Sequence, residues 1–88
     1  MKALNITVRG KVQGVFFRAE AKEEASRLGL CGYAKNINDG SVMIHVEGDE
    51  IFLDHFLKWV ESGPKNAHVK QVECKEAGVK NYKSFFIE

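Results

Sequence analysis

Apolar and polar residues alternate near the start of the chain. Leu4, Ile6 and Val8 interleave with Asn5, Thr7 and Arg9, the period of a strand with one covered face. After Gly10 the period changes: Phe17, Ala21, Ala25 and Leu28 recur at helical spacing in a segment rich in Ala, Glu and Lys, which predicts a helix from about Arg18 to Leu28. Gly29 then stands where a helix ends in a left-handed residue, and Leu30 can fold back over the last turn. Cys31 to Ile37 and Ser41 to Glu47 read as strands, joined across Asn38-Asp39-Gly40, a hairpin signal. On the second of these Val42, Ile44 and Val46 share one face and Ser41, Met43, His45 and Glu47 the other, so one face of the sheet should be covered and the other wet.

Asp49 is placed to cap a second helix, whose apolar stripe of Phe52, Leu53, Phe56, Leu57 and Val60 is wide enough to cover a sheet and which Gly63-Pro64 stops. Ala67 to Lys75 and Tyr82 to Ile87 read as two more strands. Val69 and Val72 fall out of phase in the first of them, which suggests a bulge or a slipped register. The order predicts an α+β fold: a split βαβ arrangement with both helices on one face of an antiparallel sheet and a short extra C-terminal strand.

Composition narrows the function more than the fold. Eighty-eight residues, 44% hydrophobic and 28% charged, suit one domain over residues 1–88. Thirteen basic and twelve acidic residues leave a net charge of +1, too little for a broad field that would neutralise many phosphates of a nucleic acid, although one small anion needs only one or two cations. No run of about 20 apolar residues could cross a membrane, and Met1 to Arg9 lacks the apolar core of a signal peptide, so a cytoplasmic protein is expected. Cys31 and Cys74 form no CxxC pair and are expected as buried or half-buried free thiols, with a disulfide between them left open. His45, His55 and His68 lack metal-ligand spacing, so each is expected in a structural or surface role and no metal site is expected.

The segment Gly10-Lys11-Val12-Gln13-Gly14-Val15-Phe16-Phe17-Arg18 leads from the first strand into the first helix. At a helix N-terminus the amides lack intrahelical partners and the dipole is positive, so a phosphate can be cradled by main chain, with Arg18 adding a guanidinium. The same glycines can equally serve only to make the turn, and Arg18 can be a solvated surface residue. Against that, an arginine in a first turn opposes the dipole, which an anionic ligand would explain. Phe16 and Phe17 are expected in the core. The GxxxxGK[ST] pattern of nucleotide-binding loops is absent.

Gly10 to Arg18 resembles the first signature of the acylphosphatases, in which VQGV leads into Phe and Arg. Gly32-Tyr33-Ala34-Lys35-Asn36, then Gly40-Ser41-Val42 and Gly48, is similar to the second signature in every spacing. Gly63-Pro64, Ala67, Val69 and Phe85-Phe86-Ile87 extend the likeness over essentially the whole chain. The resemblance implies a ferredoxin-like βαββαβ sandwich and a free-standing enzyme that hydrolyses acyl phosphates to a carboxylate and inorganic phosphate, with no metal, cofactor or covalent intermediate. It implies phosphate binding by Arg18 and by the amides of Gln13, Gly14, Val15, Phe16, Phe17 and Arg18, and water positioning by Asn36. A carboxamide can accept from a water and donate to it, which fixes its orientation. The implied partners are a small acyl phosphate and inorganic phosphate, with no nucleic acid and no membrane, and the chain is expected to be a monomer. Two other readings share this order of elements: an RNA-recognition module, whose aromatic RNP pattern is missing here, and the acylphosphatase-like domain found inside large carbamoyltransferases.

Overall fold

The computed structural model describes residues 1–88. The alternating segment forms β1 (Lys2–Lys11), and the helical period that follows forms α1 (Phe17–Arg27). Then come β2 (Cys31–Asn36), β3 (Val42–Gly48), α2 (Glu50–Ser62), β4 (His68–Ala77) and β5 (Phe85–Ile87). The strands form one sheet in the order β4-β1-β3-β2-β5. The pairs β1–β3, β1–β4 and β2–β3 are antiparallel, whereas β5 lies parallel to β2. The sheet is therefore mixed. The expected antiparallel arrangement holds for four strands, and the fifth differs because the chain crosses from the β4 edge to the opposite edge before pairing.

Register places the side chains. Ile6 faces Ile44, Val8 faces Val42, and on the far side of β3 Ala34 faces Ile44 and Asn36 faces Val42. Directly opposed residues share a face, so these side chains point toward the helices. Ile6, Val8, Val42, Ile44 and Val46 are fully buried there beneath Phe17, Ala21 and Ala25 of α1 and Leu53, Phe56 and Val60 of α2. Burying one side chain such as Phe56 stabilises the fold by about 1.5–3 kcal/mol. The α2 stripe differs from expectation at one position: Phe52 is 44% exposed. Trp59 packs on the core instead, with its ring 5.5 Å from that of Phe17 and 5.9 Å from that of Phe56.

The ends of α1 and β2 are set locally. Gly29, at φ 72°, donates to Ser26 O while Leu30 donates to Ala25 O, closing the helix with two reverse bonds. Asp39 accepts from both the amide and the hydroxyl of Ser41 at the hairpin. The Ser41 hydroxyl first, its amide next and then Arg9 hold the Asp39 carboxyl down to about 2. The out-of-phase valines of β4 do mark a bulge: Arg9 faces Gln71 and Gly10 faces Val69, so Lys70 has no opposite residue. Gly10 permits that approach, since a Cβ there would lie 2.1 Å from the His68 carbonyl oxygen.

The second face of the sheet is wet only in part: Gln71, Glu73 and Lys75 on β4 are exposed as expected, but the region around His45 and Glu47 is covered. His45 and Glu47 are each only 2% exposed. Residues 78–84, expected in part as strand, fold over this face instead, and the main-chain N–H groups of Lys80 and Tyr82 donate to the Glu47 carboxylate. His45 Nε2 lies 2.8 Å from Glu47 Oε2 and its Nδ1 lies 2.7 Å from Asn5 Oδ1. The rings of Tyr33 and Tyr82 pack on the imidazole, and Phe86 packs on both of them. Burial pushes the Glu47 carboxyl up, but the bonds from His45, Lys80 and Tyr82 outweigh it and hold it below its ordinary 4.5. Cys31 and Cys74 are free, on strands three positions apart, about 14 Å at ordinary strand spacing and beyond disulfide reach. Cys31 is half-buried as expected, but Cys74 is exposed, because β4 is an edge strand with few neighbours.

Candidate active site

Between β1 and α1 the chain alternates again: Val12, Val15 and Phe17 are buried, while Gly14 and Phe16 face outward. Three apolar anchors thus pin a turn whose main chain is otherwise free. No amide from Gln13 through Ala19 donates to another protein group, and the first helical bond runs from Glu20 N–H to Phe16 O at 3.0 Å. Phe16, the residue preceding α1, has φ 63° and supplies no side-chain cap. The amides of this turn are therefore available to a ligand at the positive end of the helix.

A pocket of about 260 Å³ opens at this turn, lined by Val12, Gly14, Phe16, Phe17, Arg18, Ala19, Asn36 and Ile87. Of the residues singled out by sequence, the structure brings Gly14, Phe16, Phe17, Arg18 and Asn36 together here. Gln13 and Val15 flank the pocket without lining it, Val15 because it packs into the core. Phe17 joins the core as expected, but Phe16 does not, being 75% exposed, because its left-handed backbone turns the ring outward.

Three contacts fix the arrangement. Arg18 Nη1 donates to the main-chain oxygen of Glu88 at 2.8 Å, which uses one of its five N–H donors and leaves the rest of the fork for an anion. Asn36 ends β2 on the helix-facing side of the sheet, so its carboxamide projects toward the start of α1. Gln13 Nε2 donates to the carbonyls of Ile37 and Ser41, at 2.8 and 2.9 Å, and so ties the turn to the hairpin that carries Asn36. The sequence reading assigned Gln13 only an amide. A side chain bridging two loops has no periodicity to betray it. Ile87 was missed for a similar reason, since it reaches the pocket only through the parallel pairing of β5.

No cluster of three His, Cys, Asp or Glu side chains is placed to hold a metal ion, and no helix is long and apolar enough to cross a membrane. An arrangement of open amides, a guanidinium and a carboxamide suits a tetrahedral oxyanion.

Comparison with known proteins agrees with that chemistry. The family model described as acylphosphatase matches residues 4–87. The chain belongs to the acylphosphatase family. It is 51% identical over 85 residues to an acylphosphatase of Archaeoglobus fulgidus, covering 97% of this chain and 96% of the relative. It is 48% identical over 88 residues to an acylphosphatase of Thermotoga maritima, covering 100% and 98%. Among solved structures, the acylphosphatase of Bacillus subtilis superposes with a TM-score of 0.97 at 35% identity, covering 100% of this chain and 99% of that one. Full-length HypF in a phosphate- and nucleotide-bound form superposes with a TM-score of 0.89 at 29% identity, but there the match spans 12% of that chain. The ferredoxin-like acylphosphatase fold is thus shared by free-standing chains and by one part of a larger protein, and this chain matches the former along nearly their full length. The known activity of the family is hydrolysis of acyl phosphates.

Proposed function

We propose that this acylphosphatase binds the phosphoryl group of its substrate in the turn between β1 and α1 and attacks it with a water held by Asn36. The observation that carries this reading is the unbroken run of unpartnered amides from Gln13 to Ala19 beside Arg18 and Asn36. Arg18 and the amides would take the phosphoryl oxygens, whose charge is redistributed as the P–O bond to the acyl group breaks. Water forms the new P–O bond, and the electron pair of the broken bond leaves with the carboxylate, which needs little acid help. Asn36 orients that water without acting as a strong base, and Gln13 keeps the hairpin and the turn in fixed relation.

The proposed enzyme is a monomer that works without cofactor, acts on no nucleic acid and resides in the cytoplasm. Support comes from the two separated free thiols, the near-zero net charge and the second sheet face, where an RNA-recognition module would stack bases but where Tyr82 and Phe86 already pack on His45 and Tyr33. Hydrolysis of acetyl phosphate and benzoyl phosphate with a chelator present tests the enzyme and its metal independence together. Light scattering tests the monomer, and salt-sensitive submicromolar binding of single-stranded RNA would contradict the exclusion of nucleic acid.

A further inference from the structure

Phe16 is costly where it stands. Its backbone is left-handed, at φ 63° and ψ 21°, a conformation that glycine or asparagine adopts more cheaply than a bulky residue, and its ring is 75% exposed. Neither feature serves the core, which is anchored at this turn by Val12, Val15 and Phe17. The ring stands instead at the pocket, and so does Ile87, itself 41% exposed.

The pocket lining is of mixed chemistry. Gly14, Arg18 and Asn36 contribute polar groups, whereas Phe16, Ala19 and Ile87 contribute apolar ones. On the reading that the phosphoryl group is held by the loop amides, Arg18 and Asn36, the acyl group shares the same small pocket, whose solvent-facing apolar side chains are Phe16 and Ile87. We infer that Phe16 and Ile87 form an acyl subsite that selects substrates with an aromatic or otherwise apolar acyl group over small or charged ones. A flat ring offers its face to an aromatic or aliphatic acyl chain and gives a charged one nothing to replace its lost water. The exposed apolar surface of Phe16 and Ile87 is covered when such a substrate binds, and a strained, solvent-facing aromatic residue is then explained by recognition.

The test compares kcat/KM for benzoyl, acetyl and succinyl phosphates in the unaltered protein, in Phe16→Asn and in Ile87→Ser. Asparagine tolerates the left-handed backbone, so the turn keeps its shape. Any damage to the phosphate cradle falls on all three substrates and cancels in their ratios. The benzoyl-to-acetyl ratio should fall by about tenfold in Phe16→Asn and by a smaller factor in Ile87→Ser, with discrimination against succinyl phosphate relaxed in both. An active Phe16→Asn protein with unchanged ratios would overturn the acyl subsite while leaving the phosphate site intact. Failure of the unaltered protein to hydrolyse any of the three would overturn the catalytic reading itself.

Discussion

The two helices begin in opposite ways. At α2, Asp49 accepts from the Ile51 amide at 3.0 Å and Glu50 adds a negative charge to the first turn, so the free amides and the dipole are both answered from within the chain. At α1, Phe16 has no side chain able to cap, the preceding turn donates no amide to the protein, and Arg18 places a positive charge where a stable helix prefers a negative one. An uncapped start forgoes about 1 kcal/mol. The same chain thus shows what a helix start looks like when it serves the fold; α1 shares an acidic first-turn residue, Glu20, with α2 but departs from it in its missing cap, its open amides and its arginine, each of which helps an anion bind.

Substitutions can break that contrast. Arg18→Ala should have the largest effect, lowering kcat/KM for acetyl phosphate by about 10³-fold or more, because a guanidinium stabilising transferred phosphoryl charge is commonly worth that much. Asn36→Ala should lower kcat by about 10²–10³ with the fold intact, as when one preorganised polar contact is lost. Near-normal turnover in a folded Asn36→Ala protein would remove that residue from the mechanism. Both losses belong to α1 and its neighbour, and thermal unfolding should barely register them.

Glu47 supplies the opposite case, a buried carboxylate whose partners are all internal. Glu47→Gln leaves two main-chain donors facing a weaker acceptor and should cost about 2 kcal/mol in urea unfolding at pH 7. Its folded pKa lies below the unfolded 4.5, so its contribution is complete above pH 4.5 and is lost as pH falls through the lowered value. Stability of the unaltered protein should therefore decline below that pH more steeply than that of Glu47→Gln. The smallest effect should be that of Asp49→Ala, about 1 kcal/mol of stability with kcat/KM unchanged. A loss of activity there would erase the distinction between the two helix starts.

The parts of the molecule legible in the sequence are those that follow from local geometry. Strand alternation at Ile6 and Val8, the helical spacing of Ala21 and Ala25, the Asp49 cap and the phase slip at Val69 each arise from a few adjacent residues, and each is found. The second sheet face was hidden because its cover, residues 78–84, has no period and comes from more than thirty residues away. His45 and Glu47 therefore read as solvent-facing. Phe16 was misplaced by a related cause: a large apolar ring suits a core, but a single left-handed residue before α1 turns it outward. Of the site, Arg18 and Asn36 were legible through family signatures, whereas the Gln13 bridge and Ile87 depend on tertiary pairing that spacing does not record.

The bulge in β4 has a further consequence. Ten residues long and at the margin of the sheet, this strand leaves a row of backbone groups open to solvent, the kind of surface on which a second copy could add itself strand by strand. Lys70 interrupts the row, and Glu73, Lys75 and Glu76 line it with charge that an incoming strand would have to desolvate. The irregularity that spoils the alternation of Val69 and Val72 is thus of the kind that makes an open sheet edge a poor template for another strand.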